Sequence, residues 1–172
     1  DNCSNFSNEI GTIQLALDEL ESEGINQTQI FKDQFIIMDG DQYQAIRIIY
    51  KILSHATSSI TIVDPYLDEN IFDYIESLDN KISLYLLTEK YKSIFQALYE
   101  AFKKQRTNIE AKITGRYHDR FIIIDEVDVW HLGTSINNAG NKVFMINKIK
   151  DESVRIQFIV DLKAEWSKSK PL

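Results

Sequence analysis

One cysteine, two prolines and six glycines stand in a chain of 172 residues, and each scarcity excludes something. Cys3 has no partner for an internal disulfide, which fits a reducing, cytoplasmic setting. So little proline and glycine supplies no composition for a long disordered linker. No apolar run reaches the ~18 residues of a transmembrane segment, and no signal-peptide pattern stands at the N-terminus. Without that pattern the sequons at Asn2, Asn5 and Asn26 carry little weight. There is no Cys/His cluster to hold a metal, and no cofactor motif. A net charge of −7 argues against a general electrostatic grip on nucleic acid.

What is present reads as one globular domain. Hydrophobic residues make up 44% and charged residues 26%, enough of each for a core with a solvated surface. Residues 8–23 space Ile10, Ile13, Leu17 and Leu20 as an amphipathic helix that Gly24 ends. We divide the chain into a helical extension with a short strand over 1–40 and a main domain over 41–172. A start at Asp1 rather than Met suggests further domains upstream in a longer parent.

From residue 42 the apolar pattern switches repeatedly between helical and strand periods. "DQYQAIRIIYKILSHA" is a predicted helix with Ile46, Ile49, Tyr50 and Leu53 on one face. "SSITIV", "KISLYLLT" and "NIEAKIT" are strands separated by the helices "DENIFDYIESL" and "EKYKSIFQALYEAFKKQ". "RFIIID" and "VDVWHLG" form a hairpin, and "KVFMIN" precedes a closing helix carrying Val154, Phe158, Leu162 and Trp166. Strands alternating with helices of this length predict an α/β fold, a mixed and mainly parallel sheet with helices on both faces.

The chemistry concentrates in "GRYHDRFIIIDE", residues 115–126, where His118, Arg120 and Asp125 flank a buried-looking strand. Seven residues then separate Asp125 from "GTSIN", residues 133–137. Basic residues exceed acidic ones by four between Lys103 and Arg120, read more readily as a solvated helix end than as an anion-steering patch. His55 reads as a helix-end residue and His131 as a partly buried, hydrogen-bonded one. In "IVDPYLDEN", Asp64 and Tyr66 fall at the carboxyl end of a strand, where open α/β sheets place their clefts. The plainer role for Asp64 is to cap a helix starting near Leu67.

The pattern His118-x-Arg120-x4-Asp125 followed by the Gly-Thr-Ser turn resembles the signature of the phospholipase D superfamily, and the element order over 41–166 resembles one half of that fold. The resemblance implies that His118 attacks phosphorus, that Arg120 holds phosphate oxygens, and that Asp125 orients an imidazole. It also implies phosphate contacts from Thr134, Ser135 and Asn137, with Asp64 and Tyr66 lining the cleft. Arginine replaces the family's lysine, the spacer to Gly133 is one residue longer, and one motif stands where active enzymes combine two. Three readings stay open: a degenerate phosphate-recognising module of a larger protein, a metal-independent nuclease or lipid phosphodiesterase working as a homodimer, or a structural domain. Domains of this resemblance also include bacterial defence proteins.

Overall fold

The computed structural model describes residues 32–172, so the helix expected over 8–23 lies outside the described residues. The compact unit runs from Asp33 to Leu172. Its elements are β1 (Gln34–Ile37), α1 (Gln42–Leu53), β2 (Ser59–Val63), α2 (Ile71–Ile75), β3 (Ser83–Thr88), α3 (Ser93–Gln105), β4 (Ile109–Ile113), β5 (Arg120–Ile124) and β6 (Asp128–Leu132). A 3-10 turn (Ile136–Asn138), β7 (Phe144–Lys148), α4 (Glu152–Lys168) and the two-residue β8 (Lys170–Pro171) complete it. The short strand we grouped with the N-terminal extension is therefore an edge strand of the main sheet. The unit begins at Asp33, not at 41.

The sheet has eight strands in the order β1-β7-β6-β5-β2-β3-β4-β8. It is mixed, as predicted, but not mainly parallel: only β2–β3 and β3–β4 run parallel. The reason lies in the connections. Helical crossovers force β2, β3 and β4 parallel, whereas the hairpin joining β5 to β6 can only reverse the chain. The edge strands β1 and β8 add antiparallel pairs at both ends.

Helices cover both faces. On one, α4 packs Leu162 with Phe158, Ile159 and Trp166 against Val63, Leu87, Ile123 and Val129. On the other, α1 buries Ala45, Ile48, Ile49, Ile52 and Leu53, while Ile46 and Tyr50 of the predicted stripe stay partly exposed. The second helix is shorter than its sequence suggests and joins its neighbours through rings: Phe72 meets Phe95 and Phe102, and Tyr74 meets Tyr50.

The basic excess after Lys103 forms no single patch: Lys103 and Lys104 lie in the last turn of α3, as the helix-end reading expects, and the other members disperse. Arg106 is buried and donates to the carbonyls of Leu78, Asp79 and Ile82. Lys112 lies over Trp166, and Arg116 pairs with Glu165. Nearby, the Tyr99 hydroxyl accepts the Ala111 N–H at 3.0 Å, tying α3 to β4 in a buried setting. Tyr99→Phe leaves that N–H unpaired, so unfolding midpoints in urea should report a loss of about 1 kcal/mol. An unchanged midpoint would mean that the amide finds another acceptor.

Candidate functional site

The parallel strands β2 and β3 end side by side, and the antiparallel β5 begins beside the end of β2, with Val63 opposite Phe121. Residues just past β2 and β3 and at the start of β5 thus share one end of the sheet, where ligand crevices form in such sheets. Asp64, Tyr66, Lys90 and Arg120 meet there.

Asp64 organises this end and is fully buried. Its Oδ1 accepts the Tyr66 N–H at 2.9 Å, and its Oδ2 accepts the Ser135 hydroxyl at 2.7 Å and the Ile136 N–H at 3.0 Å. The N-cap of α2 is Asn70, so Asp64 does not cap that helix, and its full burial keeps it from lining an open cleft. Ser135 is likewise buried, its hydroxyl spent on Asp64, so the phosphate contact expected from it is not available. The segment carrying it is fastened to the start of α1: the Gly40 N–H donates to the Gly140 carbonyl at 3.0 Å. Gly140 has φ +86°, and a Cβ there would stand 2.4 Å from the Gln42 Cα, so only glycine permits this approach. Thr134 is half-buried beside Ser135. Asn137 lies in the 3-10 turn, and its side chain is outside the described ones.

Arg120 is held but not consumed. Its Nε lies 3.9 Å from Asp64 Oδ1, an ion pair beyond hydrogen-bond reach. That Nε is buried and has no hydrogen-bond partner. The guanidinium carbon sits 5.8 Å from the centre of the Tyr66 ring, and Lys90 Nζ sits 5.5 Å from the same centre. One half-exposed aromatic ring therefore carries two cations, with guanidinium donors available for an outside acceptor. Lys90 was not among the residues read from the sequence. The signal was its place just after β3, one strand over from Asp64.

His118 is exposed, two residues before Arg120. Asp125 stands at the opposite end of β5, a strand length away, and does not orient it. Its carboxylate accepts the N–H groups of Thr57, Ser58 and Ser59 and the hydroxyls of Thr57 and Ser58. Burial pushes the Asp125 carboxyl up, but these donors outweigh it and hold it well below the ordinary carboxylate range. Asp125 and Glu126, with φ of 54° and 58°, form the hairpin turn to β6, and the anchored side chain makes that left-handed backbone tolerable. The carboxylate–imidazole pair near His118 is a different one. Asp119 Oδ2 lies 3.5 Å from His131 Nε2, and His131 Nδ1 lies 3.3 Å from Asn147 Oδ1. His55 sits past the end of α1 with a ring nitrogen at the Lys51 carbonyl, the helix-end role its position suggested.

Two clefts of about 300 and 350 Å³ lie elsewhere, and neither is lined by His118, Arg120 or Thr134. Among the described residues no group of His, Cys, Asp and Glu gathers in a metal-binding arrangement, and no helix is long and apolar enough to cross a membrane.

No family model and no curated protein sequence matches the chain. Solved structures do. NucT from Helicobacter pylori superposes with a TM-score of 0.63 at 14% identity, over 81% of this chain and 98% of that one. Nuc from Salmonella typhimurium, a phospholipase D family member, gives 0.62 at 13% over the same shares. This chain has the phospholipase D fold. A further neighbour, the archaeal chromatin protein TrmBL2, whose structure shows a novel mode of DNA binding, gives 0.58 at 17%, over 98% of this chain and 66% of that one. In the phospholipase D-like domain described here, the segment His118-x-Arg120 occupies a sheet end, while Asp125 serves the hairpin behind it.

Proposed function

We propose that this phospholipase D-like domain recognises a phosphate-bearing ligand through Arg120, and that it does so without hydrolysing it. The observation that carries the reading is the state of Arg120: a buried Nε with no hydrogen-bond acceptor, a carboxylate neighbour at 3.9 Å, and a cation-bearing Tyr66 ring beside it. A tetrahedral oxyanion would accept from the guanidinium in the geometry that arginine favours. The same site argues for binding over turnover. Asp125 and Ser135, two groups that the motif assigns to phosphate chemistry, are spent on the domain's own backbone and core. His118 is exposed and available for ligand contact, with Asp125 too distant to fix its tautomer. The DNA binding of TrmBL2 and the family name of Nuc both concern phosphodiesters, which fits a ligand of this class.

The test uses bis(p-nitrophenyl) phosphate, read for binding by calorimetry and for hydrolysis by released nitrophenolate. The parent should bind without release. Arg120→Gln should weaken binding roughly 10- to 100-fold, the loss of charge-assisted hydrogen bonds, while His118→Ala stays within about twofold. Equal binding by Arg120→Gln would remove the site. Nitrophenolate release that His118→Ala abolishes would establish the phosphodiesterase reading instead, and a dimeric mass in solution would then be its companion requirement.

A further inference from the structure

The opposite face of the sheet holds a second site, independent of Arg120. Thr61 and Val63 of β2, Tyr85 and Leu87 of β3, and Ile123 of β5 point to this face, with Thr61 directly opposite both Tyr85 and Ile123. Around Val63, Leu87 and Ile123 the helix α4 closes tightly, with the Phe121 and Phe158 rings 4.5 Å apart. Toward Thr61 and Tyr85 it does not, and a cleft of about 300 Å³ remains. The helix is pinned above it. Glu165 accepts from Thr114 and pairs with Arg116, Lys112 donates to the Trp166 carbonyl, and Lys163 bonds Glu126. Four ties over residues 163–166 fix α4 in this position.

The lining is specific in chemistry. Ile123 and Leu162 make an aliphatic floor. Trp166 makes an aromatic wall, fixed by Tyr85 edge-on at 5.3 Å and by Lys112 over its ring at 4.8 Å. The hydroxyls of the cross-strand neighbours Thr61 and Tyr85, both lining the cleft, have no hydrogen bond among the described residues. The charges at the mouth, Glu126 and Lys163, neutralise each other, which leaves no net charge to draw an ion inside. We propose that this cleft binds a small, uncharged aromatic molecule bearing one hydroxyl, its ring against Trp166 and its hydroxyl between Thr61 and Tyr85. The volume sits at the lower end for ligand pockets and suits a single ring of roughly ten heavy atoms.

The test is an amide NMR titration of the full chain with p-cresol and with toluene, the same ring with and without the hydroxyl. Saturable shifts confined to Ile123 and residues 159–167 are expected for p-cresol, with a dissociation constant on the order of 1 mM. Toluene should bind about tenfold more weakly, the worth of one hydrogen bond, and Tyr85→Phe should narrow that gap. Thr61→Leu fills the cleft from the sheet side, so it should abolish the shifts while raising the melting temperature. Absent or unsaturable shifts in the parent, shifts surviving in Thr61→Leu, or equal affinity for the two probes would each overturn the proposal. If Thr61→Leu does not fold, the Tyr85→Phe comparison decides alone.

Discussion

Asp64→Ala is expected to cost about 3–5 kcal/mol of folding stability, the range for breaking a buried charged pair by removing one partner. The carboxylate is fully buried and stands at the centre of four contacts from three segments of chain. Alanine leaves the Tyr66 and Ile136 amides and the Ser135 hydroxyl without their acceptor, and leaves Arg120 without its counter-charge. The two amides and the hydroxyl are buried or nearly so, and water does not replace the lost acceptor cheaply. Asp64→Asn should cost less, because its carbonyl still accepts from one partner while the ion pair is lost. Urea unfolding of parent and both variants measures the series. A loss below about 1 kcal/mol for alanine would mean that the segment around Ser135 is held by other contacts. Arg120→Gln, by contrast, removes the counter-charge of Asp64 but none of its three hydrogen bonds, so it should cost less than Asp64→Ala. That asymmetry is what makes Arg120 testable as a ligand group without unfolding the domain.

The parts of this fold that could be read directly were those set by local pattern. The runs in "ITIV", "LYLL" and "FIII" mark strands buried on both faces, and the helices between β2, β3 and β4 dictate their parallel order. The pairing of β1 with β7 was hidden, because Ile36 and its partner Met145 stand 109 positions apart (145 − 36) and no local signal connects them. At the site, the two-residue spacing of His118 and Arg120 sufficed to put them at one end of β5. The role of Asp125 did not follow from its place in the same motif. What its carboxylate does depends on the amides at 57–59, which β2 brings alongside from far upstream. Ser135 teaches the same lesson from the other side. A hydroxyl in a glycine-led turn suggests a phosphate donor, but its neighbour in space is a buried carboxylate that a linear reading places in a different stretch.

Asp125→Ala supplies the second large effect, and its pH dependence tells the mechanism from mere packing. At pH 7 the variant should be less stable by about 2–3 kcal/mol, since five donors lose one shared acceptor and several can recover water. The folded carboxyl titrates far below its ordinary value of 3.8, because donation from Ser59, Ser58 and Thr57 outweighs the opposing effect of burial. As the pH falls, the unfolded chain therefore takes up this proton before the folded one does, and stability drains from the native state. The contribution is complete above about pH 5. By pH 3 the parent should have lost part of the stability that this group contributes, whereas the alanine variant has no such proton to bind. Other carboxyls titrate in the same range. Asp33 and Glu165 are lowered by their own partners and act in the same direction, while Asp68, raised by burial, acts in the opposite one. Comparing parent with variant at each pH cancels them. The gap between the two urea midpoints should narrow between pH 7 and pH 3. A gap that stays constant would show that Asp125 holds the turn by shape and that its ionised carboxylate is not what ties the hairpin to the start of β2.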